Sequence, residues 1–138
     1  MKVINSVEFT IRVGYIESIN KYLIPVGKGK VAMSPECKAF KQNVKNQLFR
    51  SGVKINGDLK SWFTLSCVVV FKTCFNRRDT NNCIKMLVDA VCEYFGLNDN
   101  KIFNEQYTKM WNKGSDYEYI KCKLTLYDAD EKDFLVKP

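Results

Sequence analysis

Hydrophobic and polar positions divide the chain into segments of different period. In VEFTIRV, residues 7 to 13, Val7, Phe9, Ile11 and Val13 alternate with polar positions, which is the pattern of a half-buried strand. The following GYIESINKYLIPVGKGKVA, with Pro25, Gly27 and Gly29, keeps no period and predicts a long irregular loop, a feature that usually carries function or motion in a small domain. Ser34 and Pro35 then read as an N-cap and first helical residue, with Glu36 in the first turn. Cys37, Phe40, Val44 and Leu48 recur at helical spacing, Lys38, Lys41 and Lys45 run beside them as a solvated face, and the helix is expected to stop near Ser51 and Gly52.

WFTLSCVVVF, residues 62 to 71, is almost continuously apolar and predicts a strand buried on both faces at the centre of a sheet. From Thr80 onward, Ile84, Leu87, Val88, Val91 and Phe95 form one stripe of a second helix, with Asp79 expected as its N-cap and Gly96 as its stop. GLNDNK turns the chain into KIFNEQYTKMW, where Phe103, Tyr107 and Trp111 share a face with Glu105 and Lys109 and are expected to pack as core. NKGSD turns it back into YEYIKCKLTLY, with Ile120, Cys122, Leu124 and Leu126 inward and Lys121 and Lys123 outward, so the last two strands read as an antiparallel hairpin. The predicted architecture is an α+β (α/β-like) domain over residues 1 to 138, a mixed sheet packed with two main helices. Residues 128 to 138 form a C-terminal tail, acidic and then apolar, to which the pattern assigns no element.

Composition narrows the chemistry. At 46% hydrophobic residues with no low-complexity run, the chain is expected to fold around one core rather than remain disordered. The N-terminus alternates instead of presenting a signal-like apolar segment, and CVVVF is far too short to span a bilayer, so the expected location is cytoplasmic with no membrane partner. Six cysteines without a C-x-x-C pair, in a chain with no histidine, argue for buried thiols rather than a zinc site or a disulfide framework. The missing histidine also excludes Ser-His-Asp and Cys-His nucleophiles and leaves carboxylates, lysines, arginines and a hard metal as the available catalytic groups. Residues 1 to 60 carry eleven Lys and Arg against four Asp and Glu, whereas the rest balances at eleven each, so the basic half would suit a polyanion.

RRDTNNCIKMLVDAV, residues 77 to 91, gathers the candidate chemistry. Asn81, Lys85 and Asp89 lie four apart and form a polar ridge on the second helix, flanked by Asn82 and preceded by Arg77, Arg78 and Asp79. A plain structural account exists: Asp79 caps, Lys85 and Asp89 pair, and the arginines are solvated. The functional account adds Asp99, placed after the same helix. Two carboxylates at the ends of different elements, with a lysine between them and arginines alongside, have the composition of a site for Mg²⁺, which takes oxygen ligands and often only one or two carboxylates. Lys85 would stabilise charge on a phosphate, and Arg77 and Arg78 would grip its neighbours.

These segments, followed by GLNDNKI and Lys109, resemble the RusA family of Holliday junction resolvases, whose signature runs R-D-x-D-N-x-x-K, an Asp four residues on, and a turn ending in D-D. INKYLIPVGKGKVAMSPECKAFKQNV is similar to the family's asparagine-aromatic stretch, basic glycine loop and Ser-x-Glu helix start, so the likeness spans roughly residues 7 to 126 in order. The resemblance implies a homodimeric endonuclease that cuts four-way DNA junctions with Mg²⁺ or Mn²⁺. Asp79, Lys85 and Asp99 match the catalytic positions, with Asp79, Asp99 and Asn81 as metal ligands. Arg77, Arg78, Asn82, Lys21, Lys28, Lys30 and Lys109 would contact DNA, and Asp89 matches the helix aspartate. Two positions depart: Asn81 stands where the signature usually has an acid, and Asn98 replaces the first residue of the D-D pair. An amide at 81 adds no negative charge and predicts weaker metal binding, which keeps open a second reading, a dimer of the same fold that binds branched or single-stranded DNA without cutting it. A third reading is an unrelated RNA-binding domain with Phe103, Tyr107 and Trp111 as a stacking platform.

Overall fold

The computed structural model describes residues 1–14, 16, 23–75 and 80–137. Strand β1 (Lys2–Gly14) is longer than its alternating centre predicts, because it pairs along its whole length with the last strand. Residues 23 to 33, expected to be irregular, instead form a separate hairpin of β2 (Leu23–Gly27) and β3 (Lys30–Met33). Its turn is made by Lys28 and Gly29, both at positive φ (52° and 72°), the geometry that matches strand twist in a two-residue turn. Helix α1 (Pro35–Ser51) begins as its sequence predicts: the Ser34 hydroxyl accepts the Cys37 amide, and Gly52 closes the helix at φ 71°.

Strand β4 (Trp62–Phe71), helix α2 (Asn81–Phe95) and strand β5 (Ile102–Trp111) make a crossover unit in which β4 and β5 run parallel. Strand β6 (Glu118–Asp128) lies between β1 and β4, antiparallel to both, giving the order β1-β6-β4-β5 in a mixed sheet. The expected β5–β6 hairpin is therefore not formed. A six-residue connection suits a hairpin, but the apolar face of β6 gains a partner on each side by entering between β1 and β4, while α2 supplies the long connection that parallel strands require.

Phe9 and Ile11 of β1, Phe63, Leu65, Cys67 and Val69 of β4, and Ile120, Cys122, Leu124 and Leu126 of β6 share one core with Val44 and Leu48 of α1 and with the apolar stripe of α2. The helices cover only one face of the sheet. β4 is accordingly buried at alternate positions, with Ser66 exposed and Thr64 and Val68 half-buried, rather than on both faces. The Lys38–Lys41–Lys45 stripe is the expected solvated face only at Lys38, which is exposed; Lys41 and Lys45 both pair with Glu93 of α2 and so join the two helices. Five cysteines are buried, Cys74 is exposed, and all six are free thiols. The tail acquires a place as well. A 3-10 turn at Glu131–Phe134, closed by a capping box from Asp130, lays Phe134 against Trp62 and Phe103 at ring separations of 4.5 and 4.9 Å. Among the described residues, no helix is long and apolar enough to cross a membrane.

Candidate functional site

Helix α2 is enclosed almost all round. Cys83, Ile84, Met86, Leu87, Val88, Ala90, Val91 and Cys92 are buried, so among its described residues solvent reaches it chiefly along the strip that holds Asn81, Lys85, Asp89 and Glu93. The predicted ridge is thus the accessible side of an otherwise core helix, and it faces a groove of about 300 Å³ between α2 and β5. Asn81, Lys85, Asp89 and Asp99 all line this groove, joined by Glu105 and Tyr107 of β5.

Local turn chemistry brings Asp99 there. Gly96 ends α2 in the left-handed region (φ 69°), buried Leu97 anchors the return, and Asp99–Lys101 form one 3-10 turn before β5. The Asn98 side chain accepts the Asn100 amide at 3.0 Å, so its amide oxygen performs the capping that an aspartate would perform at this place. Glu105 was not among the candidates read from the sequence. Its parallel register with Leu65 points it toward the helix face of the sheet, and the signal that could have found it is its place two residues before Tyr107, on the same face of the strand.

Electrostatics support a shared environment. Burial lifts the Asp89 carboxyl above the ordinary aspartate value, Lys41 and Lys85 pull it down, and Asp99 and Glu93 push it up. Glu105 meets solvent at the rim, yet the groove walls shield it enough to raise its carboxyl too. Beneath them, the Cys92 thiol is pushed up to about 12 by burial and then by Asp99, Asp89, Glu105 and Glu93. Several negative groups therefore act on one small region, and a cation there would relieve their repulsion. The donors are carboxylate and amide oxygens, the hard set that Mg²⁺ prefers. Among the described residues, no three of His, Cys, Asp or Glu converge closely enough to hold a metal ion by themselves.

The remaining candidates divide by location. Asp79, Arg77, Arg78 and Lys21 lie outside the described residues. The helix N-cap is Thr80 rather than Asp79: α2 starts at Asn81, and the Ile84 amide bonds the Thr80 carbonyl at 2.9 Å. Asn82 sits in the first turn, with its side chain outside the description. Lys109 follows Glu105 and Tyr107 on the same face of β5, half-buried. Lys28 and Lys30 sit exposed on the β2–β3 hairpin, which contributes no described residue to the groove. Tyr107 and Trp111 are about half exposed rather than core, because β5 is an edge strand, while Phe103 turns to the opposite face of the sheet through the irregularity next to Ile102 and stacks with Tyr127.

No protein-family model matches the chain, and no curated protein does. Among solved structures it is similar to 2C-methyl-D-erythritol-2,4-cyclodiphosphate synthase in its CDP-bound form, at 14% identity over 63% of this chain and 48% of that one, with a TM-score of 0.27. It is also similar to the hydrogenase maturation protein HypE, at 12% identity over 91% of this chain and 32% of that one, with a TM-score of 0.28. The chain thus spans about half of the first structure and a third of the second, and likeness at these scores carries no functional argument.

Proposed function

We propose that the protein is a structure-selective endodeoxyribonuclease that resolves four-way DNA junctions by metal-dependent phosphodiester hydrolysis, acting as a homodimer. The observation that carries the reading is the groove in which Lys85 stands among Asp89, Asp99, Glu105 and Asn81. The oxygen donors suit Mg²⁺ or Mn²⁺, with Asp99 and Asn81 as ligands beside Asp79. Such an ion, when bound, lowers the pKa of water and neutralises phosphate charge. Lys85 places an ammonium where charge develops on the phosphate, and Lys109, on the same face of β5 as Glu105 and Tyr107, adds a second cation beyond the groove for the DNA backbone. Glu105 returns to the groove a negative charge that the signature has at position 81 and this chain lacks. Two copies would present two such grooves to a two-fold symmetric junction.

A second reading, a DNA-binding dimer without cleavage, is favoured by Asn81 itself. Both are decided by incubating a strand-labelled synthetic four-way junction with the protein and Mg²⁺ or Mn²⁺, beside Asp99→Asn, Lys85→Met, Glu105→Gln and Asn81→Asp. Cleavage that needs the ion, falls by about 100-fold or more in the Asp99 and Lys85 variants, and rises in Asn81→Asp supports the nuclease. Tight binding with no cuts in the parent moves the protein to the second reading, and absence of junction binding removes both.

A further inference from the structure

We propose that Glu118 is a positioning residue that ties together the two chain segments leading to the proposed DNA contacts. Glu118 opens β6 and is fully buried, at 0% exposure. Its Oε1 accepts the Ile16 amide at 2.5 Å and its Oε2 accepts the Lys72 amide at 2.9 Å. Ile16, itself 2% exposed, follows β1; Lys72 follows β4. The strand register places Glu118 opposite Gly14 and its neighbour Tyr119 opposite Val70, so the carboxylate lies at the ends of both strands that flank β6. One rigid planar group therefore holds two backbone positions that are remote in sequence.

Chain continuity gives the tie its consequence. The segment that starts at Ile16 runs on to Lys21, and the segment that starts at Lys72 runs on to Arg77, Arg78 and Asp79. The Lys72 end is held further: the Trp111 indole donates to the Lys72 carbonyl at 3.3 Å, and the Asn112 amide donates to the Phe71 carbonyl at 2.8 Å. Hydrogen bonds from amides to a carboxylate are about twice as strong as neutral ones. A buried amide that loses such an acceptor is costly, so neither segment can shift at its root without disturbing the other. That this coupling serves DNA binding rests on the function proposed above; the coupling itself does not.

Glu118→Gln tests it, because a carboxamide offers one accepting oxygen and turns an NH₂ toward the second amide. In ¹⁵N-resolved spectra, the Ile16 and Lys72 amides of the parent should resonate at low field and exchange slowly. In Glu118→Gln both should move, and both should exchange at least about tenfold faster, the size expected for a lost charged hydrogen bond, with the core amides of α1 unchanged. Affinity for a fluorescent four-way junction should fall at least about fivefold, and Glu118→Asp, which keeps two acceptors, should recover part of both losses. A response confined to one of the two amides overturns the proposal, as does unaltered junction affinity in Glu118→Gln when the parent binds. Coupled amide responses with no junction binding by the parent would support the tie and overturn the nuclease reading instead. Should Glu118→Gln fail to fold, exchange in the parent decides: the two amides should share one protection level and one urea dependence, and protections more than about tenfold apart overturn the tie.

Discussion

Replacing Glu93 with Gln should loosen the junction of α1 with α2 by an amount the geometry bounds. Glu93 receives both Lys41 and Lys45, whose side chains are 12% and 31% exposed, while its own is 47% exposed. Breaking a buried ion pair costs about 3–5 kcal/mol and an exposed one about 0–1. With the carboxylate half in water, screening brings the value near the lower limit, and the nearly buried Lys41, left without its partner, keeps it above zero. We expect about 1–1.5 kcal/mol, or a fall in Tm of about 3–6 °C. Burial alone would raise the Glu93 carboxyl, but hydrogen bonds and charge from the two lysines outweigh it and hold the group below the ordinary glutamate value. For a carboxyl lowered on folding, the stabilisation is complete above its unfolded pKa and is lost as pH falls through the folded one. The gap between parent and Glu93→Gln should therefore be full at pH 7 and close in acid. It should also shrink by roughly half in 1 M NaCl, where the Debye length falls to about 3 Å. Urea melts of the parent, Glu93→Gln, Lys41→Met and the double variant give the coupling energy directly. A coupling indistinguishable from zero, or a gap independent of salt and pH, would refute the reasoning.

Asp89 should behave with the opposite sign. Its carboxyl is raised, so Asp89→Asn is expected to melt higher than the parent at pH 8, with the difference closing as pH falls below the ordinary aspartate value, and added Mn²⁺ should narrow the difference; a lower Tm at pH 8 would contradict the assigned burial. Phe134→Ala should cost about 1–2 kcal/mol and change tryptophan emission, since Phe134 covers Trp62; emission identical to the parent's would remove the docked tail. Gly96→Ala, at φ 69°, should cost about 1–2 kcal/mol and reduce any divalent-ion effect on Tm by displacing Asp99, whereas an unaltered melt would mean that the turn has another support.

Element type was legible wherever one period ran long enough. α1 with its Ser34 cap, β4, the stripe of α2 and the inward set of β6 all follow from spacing, and so does the ridge of Asn81, Lys85 and Asp89, because residues four apart on a helix share a side whatever surrounds it. Pairing was not legible. Whether β6 joins β5 or enters between β1 and β4 depends on which edges remain open in the assembled sheet, a non-local quantity that no stretch of residues encodes. The same lack hid Glu105, whose relevance arises only when parallel pairing with β4 turns it toward α2, and it made Lys41 and Lys45 look solvated when Glu93 lies across the helix interface. The β2–β3 hairpin escaped because Pro25, Gly27 and Gly29 mask any alternation in strands this short.

The position of β6 also sets an order of events during synthesis. Within the four-stranded sheet β1 leaves the ribosome before the other strands and β6 after them, so β1 has no partner in that sheet until residues 118–128 arrive. Both β1 and the inner edge of β4 stay open to stray pairing from their own synthesis until that of β6, the situation in which nascent chains draw chaperones or aggregate. A chain halted before residue 118 should accordingly remain unable to close its core, however complete its α2 groove may look on paper.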